Sequence, residues 1–191
     1  MNRTIFLDLE TGGLAPHHPD IQVAAIAVEH WKELEVYEAK IRFDPAKAEA
    51  EALAMNSYDL ETWKRESKSE AQVVEELGAL FRRHVDIDLI SKRGKAYSVA
   101  RLAGHNAIGF DAPRLKAMFT RHEAFLPAEV YRPLDTLQLA LWRLTANGER
   151  PASFSLEDLC KHCGVAFNDG HDALSDVRAT IALARALIEP R

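Results

Sequence analysis

Apolar and polar positions along the chain predict strands first, then alternating helix and strand, then helices. Thr4 to Leu9 alternates weakly and reads as a strand, while Val23 to Val28 is apolar almost throughout, the pattern of a strand covered on both faces. Val36 to Phe43 reads as a third strand after a short Lys32-Glu33-Leu34 connection, which makes the first three strands an antiparallel meander. Val73, Leu77, Leu80 and Phe81 recur at helical spacing within Ser69 to His84, behind a Ser69 cap. Tyr97 to Ala103 predicts another strand, and Ala112-Pro113 opens a helix toward Arg121, since proline is tolerated in a first turn. Val130 to Leu134 reads as a short strand, with Asp135 and Thr136 placed to cap a helix through Arg143. Two more helices follow, from about Ser155 to Cys163, stopped by Gly164, and from about Ala173 to Ile188, stopped near Pro190. This order predicts an α/β domain with a mixed sheet and helices on its faces.

Composition narrows the setting. With 191 residues, 47% of them hydrophobic, the chain can bury one core, and 1–191 is expected to be one domain. Lys and Arg total 24 against 29 Asp and Glu, a net charge of −5, so any nucleic acid must be held locally rather than by a global field. The apolar run at the N-terminus meets Asp8 too early for a signal peptide, and no stretch approaches a membrane span, so a cytoplasmic protein with no membrane partner is expected. Cys160 and Cys163 are too few for a disulfide framework and read as a small pair on a helix face. A four-ligand set with His162 and His171 is the alternative. The most polar insertion, Asp86 to Lys95, carries a Lys92-Arg93-Gly94-Lys95 tip that reads as a solvated turn or as a contact to a phosphate backbone.

Candidate chemistry lies in separated acidic residues. Asp8 and Glu10 sit two apart on the first strand, so both carboxylates project from one face while Leu7 and Leu9 point the other way. Thr11-Gly12-Gly13 follows, a turn that allows close approach of a ligand to the backbone. Asp111 stands at the mouth of the helix opened by Pro113, where an ordinary helix cap is the plain reading. His171-Asp172-Ala173-Leu174-Ser175-Asp176 opens the last helix behind Asn168-Asp169-Gly170. Residues five apart on a helix diverge by roughly 140°, so His171 and Asp176 converge only if His171 is still in the loop. Two carboxylates about 4 Å apart repel by roughly 4 kcal/mol at an effective dielectric of about 20. A site holding all of them calls for cations, and an all-oxygen donor set suits Mg²⁺ or Mn²⁺.

These segments resemble the DEDDh 3′→5′ exonucleases on a ribonuclease-H-like fold. Phe6-Leu7-Asp8-Leu9-Glu10-Thr11-Gly12 is similar to the family's first motif, and Gly104-His105-Asn106 through Phe110-Asp111 to its second. His171 through Asp176 with Ala179-Thr180 is similar to its third. Leu134-Asp135-Thr136-Leu137 and Phe154 to Leu159 resemble connecting segments of no direct chemistry. The resemblance implies two divalent metal ions held by Asp8, Glu10, Asp111 and Asp176, with His171 as general base, and release of nucleoside 5′-monophosphates from the 3′ ends of single-stranded DNA or RNA. It further implies that the backbone around Thr11 and Gly12 meets the terminal 3′-hydroxyl and that Leu14 packs on the terminal base. His105, Asn106 and Phe110 would line the neighbouring pocket, although His105 and Asn106 could equally be satisfied structural groups. The chain stops after its last helix, which leads to the expectation of a free-standing nuclease. Members are often dimers, so a homodimer is compatible, while the sequence marks no interface. The rival readings are a catalytically silent module that binds nucleic acid or protein, and a ribonuclease-H-like endonuclease.

Overall fold

The structure is a computed structural model that describes residues 1–168 and 172–189. Six strands form one sheet: β1 (Thr4–Thr11), β2 (Asp20–Glu29), β3 (Lys32–Lys40), β4 (Val85–Ile90), β5 (Ala96–Gly104) and β6 (Ala128–Asp135). The first three are an antiparallel meander, as the pattern predicts, and β1 pairs β5 in parallel through Ile5 opposite Leu102 and Phe6 opposite Ala103. Residues of β5 that pair β4 or β1 also pair β6 in parallel, as with Ala100 and Ala103, so β6 runs along the opposite edge of β5.

Among the described residues, seven α-helices and the short 3₁₀ turn Pro45–Lys47 accompany the sheet. Ala50–Met55 (α1) and Leu60–Glu66 (α2) are short, and Glu70–Arg83 (α3) starts from Ser69 in a reciprocal cap with Gln72. Asp111–Arg121 (α4), Thr136–Ala146 (α5), Leu156–Cys163 (α6) and Ala173–Ile188 (α7) follow, with α6 ended by the left-handed Gly164. The alternation of β1 divides the core. Ile5, Leu7 and Leu9 pack with Leu77, Phe81, Leu115 and Phe119 of α3 and α4, whereas Phe6 packs with Ile26 and Val177 of α7 on the other face. Helices thus cover both faces, as expected. A third cluster joins α5, α6 and α7 and contains Cys160, whose thiol burial pushes up to about 12. No described helix is long and apolar enough to cross a membrane.

Three expectations need correction. The β2–β3 connection is His30-Trp31, not Lys32-Glu33-Leu34, because both residues adopt positive φ (50° and 64°) and close a two-residue turn. β3 accordingly begins earlier and ends at Lys40. Much of the Asp86–Lys95 insertion is strand, since β4 pairs antiparallel with β5 and leaves only Ser91 to Lys95 as a tip.

Candidate active site

Strand periodicity brings the first carboxylates to the face that α7 covers. Asp8 lies opposite Ala24 and Glu10 opposite Gln22, beyond Phe6 in the same row. The small Ala24 leaves space beside Asp8, and a register shift after Glu10 bends the strand where the cleft opens. Asp176 reaches the same place from the first turn of α7, so that Asp8, Glu10 and Asp176 bring carboxylate oxygens within 4.8 Å of one another. Among the described residues this is the group that could hold a metal ion.

Asp111 enters from the first turn of α4, 2% exposed, and its Oδ1 accepts from the Leu9 N–H at 3.1 Å. That bond ties α4 to the strand carrying Asp8 and Glu10. Both helix-borne carboxylates, Asp111 and Asp176, sit at helix N-termini, where the backbone dipole favours negative charge.

Among the described residues, burial and neighbouring carboxylates dominate the electrostatics of the site. Burial first, then the neighbouring Asp111, Glu10, Asp176 and Asp172, raise the Asp8 carboxyl well above the usual range. Glu10 is pushed up to about 7 by burial, then by Asp176 and Asp172. Asp111 reaches about 7 as well, burial outweighing its backbone hydrogen bonds. Carboxyls in this state hold protons near neutrality until a cation replaces them, and the all-oxygen donors match a hard divalent ion.

The predicted substrate contacts are placed unevenly. Leu14 is 83% exposed and shares the rim of a pocket of about 140 Å³ with Phe110, Pro113 and Arg114. Thr11 and Gly12 are buried. Gly12 donates to Pro19 O at 2.8 Å and accepts from Glu49 N at 2.7 Å, and a side chain there would come within 2.6 Å of the Ala48 methyl. Its peptide groups therefore shape the turn, and the closest approach it serves is that of the chain itself. His105 is engaged at both ring nitrogens, with Thr136 Oγ1 at 2.9 Å and Phe154 O at 3.1 Å, which is the satisfied structural reading. Asn106 takes a left-handed φ of 57°, and its N–H donates to Asp135 Oδ1 at 3.0 Å. The connecting segments around Asp135 and Phe154 thus brace the loop that leads to Asp111. His171, with Asp169 and Gly170 before it, lies outside the described residues.

Sequence reasoning missed two contributors. Asp172 caps α7 by accepting from Ser175 N and Oγ (3.1 and 2.8 Å), and it also accepts from Gln22 Nε2 at 3.1 Å, placing a further negative charge beside Glu10. Its position in the third motif was the available signal. Arg114 is buried beneath the loop after Gly12 and donates to the carbonyls of Gly13, Ala15, Leu14 and His18 at 3.0 to 3.3 Å, and to Asp20 Oδ1 at 3.0 Å. It stacks over Phe110 at 4.7 Å. Nothing in the spacing of Arg114 marks this role.

A two-faced mixed sheet whose first strand, α4 and α7 converge carboxylates on one cleft defines a nuclease of the ribonuclease-H-like class. A family model described as RNase T exonuclease matches residues 88–184, a range that holds Asp111 and Asp176 and begins after Asp8 and Glu10. The chain belongs to this exonuclease family. Exonuclease I of E. coli in complex with a dT13 oligonucleotide is a similar solved structure, with TM-score 0.75 and 23% identity over 100% of this chain and 42% of that one. Its zinc-bound complex with single-stranded DNA gives 0.74 and 22% over 98% and 40%. The chain spans less than half the length of these structures. A comparison with curated proteins found no match.

Proposed function

We propose that residues 1–191 form one exonuclease domain that removes nucleotides one at a time from the 3′ end of single-stranded DNA or RNA, releasing nucleoside 5′-monophosphates. The observation that carries this reading is the convergence of Asp8, Glu10 and Asp176 within 4.8 Å, with Asp111 buried beside them and the carboxyls of Asp8, Glu10 and Asp111 raised by burial and by their carboxylate neighbours. Asp8, Glu10 and Asp176 would hold one Mg²⁺ or Mn²⁺, and Asp8 with Asp111 a second. Such ions offset phosphate charge and make water a stronger acid.

The chain's own groups divide the remaining work. His171 is assigned the proton of the attacking water, since an imidazole with an ordinary pKa near 6.5 exchanges protons at neutral pH. Leu14 and Phe110 offer apolar surface to the terminal nucleotide, and Arg114 keeps the Leu14 loop in place through its carbonyl contacts. A preference for single strands draws support from the solved exonuclease I complexes with dT13 and dA16 oligonucleotides. A cytoplasmic setting belongs to the same proposal.

The test follows 5′-labelled single-stranded DNA and RNA over time on a denaturing gel with Mg²⁺, Mn²⁺ or EDTA. A ladder shortening from the 3′ end, absent in EDTA and in Asp8→Ala, supports the proposal and ranks the two substrates. Intact substrate in every lane, from folded protein, replaces it with a silent binding module. His171→Ala should slow turnover by on the order of 10² to 10⁴ with metal binding retained, and unchanged turnover removes His171 from the reaction.

A further inference from the structure

We infer that the groove between α4, the β4–β5 hairpin and β6 is a second binding site for the substrate strand, holding nucleotides 5′ of the one removed. The inference rests on the single-strand exonuclease reading. The groove has a volume of about 650 Å³ and exposes unusually large apolar groups: Ile90 at 76%, Tyr131 at 75% and Phe125 at 62%, with Tyr97 set edge-on to Phe125 at 6.1 Å. A contiguous exposed patch of this kind marks a contact surface.

Its charge selects the occupant. Lys116 Nζ lies 4.7 Å over the Tyr131 ring, and Lys92, Arg93 and Lys95 cluster on the turn joining the strands that carry Ile90 and Tyr97. Three of the nearby carboxylates have partners within the chain. Buried Glu129 is met by Arg132 at 3.0 Å and Asp86 by Arg101 at 3.3 Å, while Asp88 accepts from Ser98 at 2.7 Å. A basic lip around aromatic rings therefore stands out on a chain of net charge −5. Protein interfaces are depleted of lysine, whereas aromatic platforms edged by cations are how single strands are held without regard to sequence.

Continuity with the catalytic cleft comes from α4. Asp111 begins the helix, and Lys116 and Thr120 reach the groove from the same helix, with Pro113 and Ala117 exposed between the two sites. Asp111 to Thr120 is about 14 Å along the axis at 1.5 Å per residue. Lys116 and Thr120 are turned roughly 140° and 180° from Asp111, so a strand would have to cross the outer face of α4 past Pro113 and Ala117. That route is longer than the rise, so stacked nucleotides at roughly 3.4 Å each would need more than about four steps to cover it. A strand whose 3′ end sits at Asp8 and Asp111 would reach Tyr131 and Phe125 by that route.

The test measures binding of labelled thymidylate and uridylate oligomers in EDTA, where no hydrolysis occurs, and hydrolysis of dinucleotides in Mg²⁺. Tyr131→Ala and Phe125→Ala, at exposed positions, should each weaken binding of long oligomers by roughly tenfold or more. Dinucleotide hydrolysis should be unchanged. Lys116→Gln should flatten the salt dependence by about one phosphate contact. Circular dichroism and sedimentation accompany each variant. Length-independent binding by wild type, or unaltered long-oligomer binding by all three variants, overturns the inference. So do substitutions that change only self-association, which would assign the groove to a second copy of the chain. Hydrolysis without any length effect leaves the exonuclease reading standing and the groove refuted. Groove-dependent binding by a protein that hydrolyses nothing supports the groove and refutes the exonuclease.

Discussion

Asp111 and Arg114 lie one turn apart on α4 and serve two sets of buried charge that are answered in opposite ways. Arg114 faces Asp20 at 3.0 Å, and Arg121 adds a second contact at 3.4 Å, so the loop after Gly12 is fastened by charges that the chain itself supplies. Asp111 faces Asp8, and there the neighbours are further carboxylates. Burial raises the pKa of Asp20 too, but the arginines oppose that rise, whereas the described carboxylates around Asp8 add to it. A buried charge left without a partner is strongly destabilising. Among the described residues, the fold thus sets arginines against Asp20 and further carboxylates around Asp8, a difference that a bound cation would answer.

Removing one carboxylate from the Asp8 cluster should therefore separate activity from stability. Asp8→Asn is expected to lower turnover by on the order of 10³ or more, the scale of several kcal/mol of charge stabilisation. It should also raise the melting temperature in EDTA at neutral pH, because folding no longer has to protonate a carboxylate that is ionised in the unfolded chain. A lower melting temperature would break the comparison. In the answered set, Arg114→Met leaves Asp20 buried and should cost about 3–5 kcal/mol in urea denaturation. Adding Asp20→Asn should recover part of that loss. Simple additivity would show that the pair does not act as one unit.

The pH dependence follows from the same contrast. Glu10 and Asp111, both raised to about 7, bind protons in the folded state that the unfolded chain releases at ordinary carboxylate values. Metal-free stability should then fall as pH rises from about 4.5 through about 7, with Glu10 alone accounting for roughly 3 kcal/mol. Mg²⁺ should restore most of it at the alkaline end and little at the acid end. Thermal melts at pH 5 and pH 8, with Mg²⁺ and with EDTA, check this. Equal stabilisation at both pH values would mean that proton and cation do not compete for the cluster.

What was legible in the sequence follows the same division. Asp8 and Glu10 could be read because a strand's period of two puts both on one face, and the Ser69 cap and α3 because apolar spacing and capping agree. β4 was read as a polar insertion because Asp86 and Asp88 break the run of a strand whose apolar positions are only partly covered. α1 and α2 passed unnoticed because α1 buries nothing and α2 only Trp63, leaving no stripe to detect. His30-Trp31 lacks the Asn-Gly signature of its turn type. Arg114 was out of reach because its partners are mostly backbone carbonyls, which carry no sequence identity, on a loop about a hundred residues away.

Asp172 sharpens the comparison with the smallest expected effect, because it belongs to both sets. As cap of α7 its carboxylate is answered by Ser175 and Gln22, and as a neighbour of Glu10 it adds to the repulsion. Asparagine caps helices about as well as aspartate, so Asp172→Asn should keep α7 and remove only the charge. The Glu10 carboxyl should then titrate lower, and the metal-free loss of stability with pH should shrink. Mg²⁺ affinity should weaken by about tenfold, the lower end for groups that support a metal site without entering it. Turnover at saturating Mg²⁺ should stay near wild type. A collapse of turnover as deep as that of Asp8→Asn would instead make Asp172 a member of the metal-holding set. An unchanged Mg²⁺ affinity would confine it to the cap, and would mean that the field at Glu10 comes from Asp176 and burial alone.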